Sequence, residues 1–79
     1  SVQDSMVAAL VIEAGDLAYK VSFRTCGAIS ASGIASMRGG GGHPRASGAS
    51  MTGTLDDVIE RVLAAASTVL DSAKEAVRG

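Results

Sequence analysis

The sequence predicts a small α/β domain of β-β-α-β-α order, a mixed sheet with its helices packed on one face. Three observations carry the prediction. Two neighbouring runs near the start are rich in strand formers, four consecutive glycines interrupt the middle, and the last third repeats apolar residues at spacings of three and four. The length of 79 residues allows one domain, residues 1–79, of a size where a single core is only marginally stable, and the chain lacks an initiator Met. It is therefore expected to be a piece of a larger protein.

The first strand is read over residues 6–12, Met-Val-Ala-Ala-Leu-Val-Ile, an unbroken apolar run expected to be buried on both faces. Gly15-Asp16 marks a tight turn. Residues 17–25 then alternate, with Tyr19, Val21 and Phe23 on one face and Lys20, Ser22 and Arg24 on the other, so that the two runs form a hairpin. Ser30 is a suitable N-cap for a short helix carrying Ile34 and Met37, which must stop at Gly39. Glycines 39–42 read as a loop, because they have no side chains to pack. A third strand is expected over residues 46–51, ended by Gly53. Thr54 caps the last helix, with Asp56 and Asp57 in its first turn. Its apolar stripe comprises Leu55, Val58, Ile59, Val62, Leu63, Ala66, Val69, Leu70, Ala73 and Val77.

Apolar residues make up 47% of the chain, with one Phe, one Tyr and no Trp, so the core is expected to be aliphatic. The single Cys26 cannot close an internal disulfide, and no stretch approaches the roughly 18 apolar residues of a membrane span. The opening Ser1-Val2-Gln3-Asp4 has no basic head of a secretory leader. These features lead us to expect a cytoplasmic protein. The net charge of −1 conceals a segregation: residues 17–53 hold Lys20, Arg24, Arg38 and Arg45 and no acid, while the remainder holds three basic and eight acidic residues. The middle segment is expected to attract anions.

Within that middle, the glycines are followed by His43, Pro44 and Arg45. Glycine backbones can approach a ligand closely and turn successive amides toward an anion. Arg45 offers a planar fork, and His43 offers a donor of the side-chain type whose charge changes near neutral pH. Pro44 holds His43 extended. The run also reads as a flexible linker, but its place inside one short domain favours an anion cradle. It is not a Walker-type loop, which requires Lys and then Ser or Thr. Arg24, at the end of its strand, reads either as a solvated arginine or as a ligand; Lys20 and Arg38 read as solubilising charges. One His and one Cys without paired carboxylates provide no metal set, and Tyr19 and Phe23, assigned to the core, are not free to stack on bases.

Val21-Ser22-Phe23-Arg24, Ile34-Ala35, glycines 39–42, His43 and Ala46-Ser47-Gly48 together resemble the DHH-associated C-terminal domain of DHH-family phosphoesterases, over roughly residues 6–63. That family includes RecJ-like exonucleases, oligoribonucleases and cyclic-dinucleotide phosphodiesterases. The resemblance implies an N-terminal catalytic domain of the same chain, holding two divalent metals, usually manganese, with this domain gripping a nucleotide or short oligonucleotide. It implies that Arg24 and His43 contact phosphate, that Gly40, Gly41 and Gly42 approach the nucleotide through main-chain atoms, and that Arg45 and Ser47 make secondary contacts. No catalytic residue or metal ligand is implied within these 79 residues, which by themselves should hydrolyse nothing. Arg38 departs from the family, which often has an apolar or aromatic residue there. Two alternatives remain: an RNA-binding and dimerisation module similar to the C-terminal domain of alanyl-tRNA synthetases, and a structural domain forming a homodimer through its last helix.

Overall fold

The computed structural model describes residues 4–78, so the leader reading of Ser1, Val2 and Gln3 lies outside the described residues. Strand β1 (Met6–Gly15) and β2 (Ala18–Cys26) form the expected hairpin, with Val11 opposite Val21 and a register shift between Glu13 and Gly15. Leu17 occupies the turn at φ 50°, a left-handed conformation unusual for a leucine. Its carbonyl accepts the Gly53 N–H at 2.9 Å, which ties the turn to the far end of the sheet. After β2 come α1 (Ala31–Ser36), β3 (Gly41–Gly42), β4 (Ala46–Thr52) and α2 (Leu55–Arg78).

The β-β-α-β-α layout is present with one addition. Half of the glycine run expected to be a loop is the short strand β3, and the sheet order is β1-β2-β4-β3. Helix α1 carries the chain over β4's position, so that β3 runs parallel to β2, and the hairpin at Pro44-Arg45 then sends β4 back between them. Every adjacent pair is consequently antiparallel, which refines the mixed sheet expected from the sequence.

One face of the sheet holds the core. Val21, Phe23, Ala49 and Met51 from the strands meet Ile29, Ala31, Ile34 and Ala35 around α1, and Val58, Val62 and Ala65 of α2. Ser30 caps α1, its hydroxyl accepting the Gly33 N–H at 3.2 Å. The helix ends where Gly39 turns left-handed at φ 78°, which lets the Gly40 N–H reach the Ala35 carbonyl at 2.9 Å. Arg38 is not a solubilising charge: its Nε donates to the Arg61 carbonyl at 2.9 Å and joins α1 to α2. Arg61 in turn donates from Nη2 to the Thr52 carbonyl at the end of β4. Thr54 caps α2 as expected, its Oγ1 accepting the Asp57 N–H at 3.2 Å.

Two burial expectations need correction. β1 is an edge strand and is not buried on both faces: Met6, Leu10 and Ile12 are 70%, 58% and 51% exposed. An apolar run does not encode whether a second layer covers it. The α2 stripe is also narrower than its sequence pattern. Leu55, Ile59, Leu63 and Val77 are exposed, because a cylinder resting on a sheet this narrow buries only one line of side chains.

Phe23 is fully buried at the centre of this single core. Phe23→Ala should lower stability by about 3–5 kcal/mol, read as a fall in the urea midpoint. A Cβ added at Gly40 would sit 2.1 Å from the Gly48 carbonyl oxygen and 2.8 Å from the Ala49 Cα. Since backbone atoms cannot swing aside, Gly40→Ala should destabilise at least as much as Phe23→Ala in the same titration.

Candidate functional site

Cross-strand partners share a face of a sheet, so the register sorts the candidate residues. On the face away from the helices, Ala8, Arg24 and Ala46 stand in one row. His43 continues it, because His43 and Ala46 exchange both main-chain hydrogen bonds, at 2.8 and 3.2 Å. The next row is Leu10, Ser22, Gly48 and Gly41, and the third is Ile12, Lys20 and Ser50. Arg24 and His43 therefore lie two strand spacings apart, roughly 10 Å, with only the methyl of Ala46 between them.

The hairpin tip that carries His43 is held firmly. The Pro44 carbonyl accepts the Ala31 N–H at 2.7 Å and the Thr25 hydroxyl at 3.0 Å, and the Arg45 carbonyl accepts the Thr25 N–H at 3.1 Å. Arg45 adds a side-chain tie, Nη1 donating to the Ile29 carbonyl at 3.1 Å. Arg45 thus braces the tip from the helix side. Ser47 does likewise, donating its hydroxyl to the Ala31 carbonyl at 2.5 Å from the face that holds Phe23.

The glycines divide by role. Gly40 faces the helix side, and Gly42, at φ 146°, would bring a Cβ within 2.7 Å of the Ser47 Cα, so both are required by the close approach to β4. Gly41 is different: a Cβ there would meet nothing within 4 Å, and its φ is not positive. It opens onto the same face as Gly48. The amide cradle expected from the run is only partly available, since the Gly40 and His43 N–H groups are bonded to Ala35 and Ala46 carbonyls. By the alternation of an antiparallel ladder, Gly42 turns its N–H toward the free edge.

The open face is basic and uncommitted. Lys20, Arg24 and His43 are exposed, and among the described residues their side chains have no hydrogen-bond or ion-pair partner. The three rows contain no carboxylate. A shallow groove of about 430 Å³ begins beside this set, lined by Lys20, Ser22, Gly39, Gly40, Gly48 and Ser50. Gly48 and Ser50 were not anticipated. Their alternation with Ala49 and Met51 is visible in the sequence, but only the β2–β4 register places them beside Ser22 and Lys20.

The structure therefore brings Arg24, Gly41 and His43 to one surface, and assigns Gly40, Arg45 and Ser47 to holding that surface in place. Among the described residues, no group of three His, Cys, Asp or Glu side chains could hold a metal ion. No described helix is long and apolar enough to cross a membrane.

The model of the DHHA1 domain family matches residues 1–72. No curated protein matches the chain. The matched span takes in the whole sheet, α1, the glycine run with His43, and most of α2. With this match, the chain belongs to the DHHA1 domain family, the DHH-associated C-terminal domain of DHH-family phosphoesterases.

Proposed function

We propose that the open face of this sheet grips the phosphate of a nucleotide or short oligonucleotide and holds it for a DHH catalytic domain of the same protein. The observation that carries the reading is the row in which Arg24 and His43 flank Ala46, beside a second row whose Gly48 and Gly41 have no side chains. A guanidinium and an imidazole with no partner of their own can both donate to one anionic group, and such charge-assisted hydrogen bonds are the strong ones. The bare glycine row lets a sugar or base lie against the main chain without steric conflict.

Hydrolysis itself belongs to the metal-bearing partner domain, where divalent cations, manganese in the family resembled, would activate the water. The residues of this chain bind and orient. Their rigidity matters as much as their charge, because Arg45, Ser47 and Pro44 hold the His43 hairpin through hydrogen bonds at and beside its tip. A group positioned beforehand spends less binding energy on its own ordering.

Titration calorimetry with a 5′-phosphorylated diadenylate tests this reading. Arg24→Ala and His43→Ala should each weaken binding by about 10-fold, the cost of losing one hydrogen bond to a charged group. Gly41→Ala should weaken binding while its urea midpoint stays level or rises slightly, since a methyl there has room and restricts the unfolded chain. Equal affinity for all four proteins would remove the proposal. Displacement of the dinucleotide by far lower concentrations of tRNA would favour the alanyl-tRNA synthetase-like alternative.

A further inference from the structure

The phosphate grip at Arg24 and His43 occupies one end of the open face and leaves the groove at the other end unexplained. Lys20 and Ser50 form a cross-strand pair there, and Ser22 and Gly48 form the pair between them and the Arg24 row. The lane is continuous: Lys20, Ser22 and Arg24 run down β2, with Ser50, Gly48 and Ala46 beside them on β4. All the β4 side chains in it are small. Nothing taller than a serine or a methyl interrupts the floor from one cation to the other.

Arg24 lies four residue steps beyond Lys20, about 13 Å along the strand at ~3.3 Å per residue. Standing upright from the sheet, the two side chains offer positions for phosphate about that far apart. A single strand several nucleotides long, lying along β2, can place one phosphate at Arg24 and His43 and another at Lys20. The surroundings suit such a strand. The β1 side chains facing the lane are Leu10 and Ile12, paired with Ser22 and Lys20 and both more than half exposed. They offer bases an aliphatic border without a hydrogen-bonding pattern that would select a sequence. The other two cations of the middle segment are committed elsewhere, Arg38 to the Arg61 carbonyl and Arg45 to the Ile29 carbonyl.

Resting on the phosphate-grip reading above, we infer that Lys20, with Ser50 and Ser22 in its groove, is a second phosphate subsite that makes the domain prefer single-stranded oligonucleotides of several residues over dinucleotides. Lys20 is a length-reading residue, and the preference carries no sequence selectivity.

The experiment compares tetra-adenylate with diadenylate, both 5′-phosphorylated, on the unaltered chain, Lys20→Ala, Arg24→Ala and Lys74→Ala, by fluorescence anisotropy across a salt series. The ratio of tetranucleotide to dinucleotide affinity should fall about 10-fold in Lys20→Ala and stay level in Lys74→Ala, whose lost charge lies on α2. The salt slope for the tetranucleotide should drop by about 0.7 in Lys20→Ala, the loss of one phosphate contact on a single strand. Arg24→Ala should weaken both ligands. An unchanged ratio in Lys20→Ala, or an equal fall in Lys74→Ala, overturns the length reading, and the phosphate grip stands if Arg24→Ala still weakens both. No effect of Arg24→Ala on either ligand would instead sink the reading on which this one rests.

Discussion

Everything on the open face depends on how closely the glycine run lies against β4. At Gly40 and Gly42 the approach leaves no room for a side chain, because the atoms that a Cβ would strike are main-chain atoms of Ala46, Ser47, Gly48 and Ala49. That contact turns a segment with no side chains to pack into β3, closes the hairpin through His43 and Ala46, and sets the imidazole in line with Arg24. Glycine serves two ends in one stretch of four residues. At Gly40 and Gly42 its absence of a Cβ makes the fold possible, and at Gly41, where the fold makes no such demand, it keeps the surface bare.

A second division runs between the faces of the sheet. On the helix side the polar groups are satisfied internally: Ser47 on Ala31, Arg45 on Ile29, Arg38 on Arg61, Arg61 on Thr52. No buried side-chain donor or acceptor among the described residues lacks a partner. The open side has the reverse character, with three basic side chains and two glycines facing solvent and no acid among them. Hydrogen bonds to carbonyls thus consume two of the four cations in residues 17–53 and leave Lys20 and Arg24 exposed on the open face. The acidic residues of α2 stay on the other layer, where they do not neutralise that surface.

Much of this was legible in the sequence. Alternation over β2 told which side chains face the core, capping chemistry placed Ser30 and Thr54, and the composition of the glycine run marked glycines 40–42, His43 and Arg45 as one candidate set without separating their roles. The α2 stripe and the burial of β1 were read too generously. Periodicity marks which residues could be buried, and only the number and width of the layers sets how many are. The ties of Arg45 to the Ile29 carbonyl and of Ser47 to the Ala31 carbonyl were not legible either, because a guanidinium and a hydroxyl carry no mark in the sequence of which way the strand will turn them.

What the sequence determined by itself, then, was the local order: two strands in a hairpin, a capped short helix, a glycine break, a strand and a long amphipathic helix, with positive charge gathered in the middle. These follow from interactions between residues a few positions apart, where spacing and residue type suffice. The tertiary structure alone decided that β4 enters between β2 and β3, and with it every pairing that matters to the site: Arg24 with Ala46, Ser22 with Gly48, Lys20 with Ser50. Register between distant strands is set by packing against a shared core, and a shift of one residue would have turned Lys20 and Arg24 inward and Phe23 out.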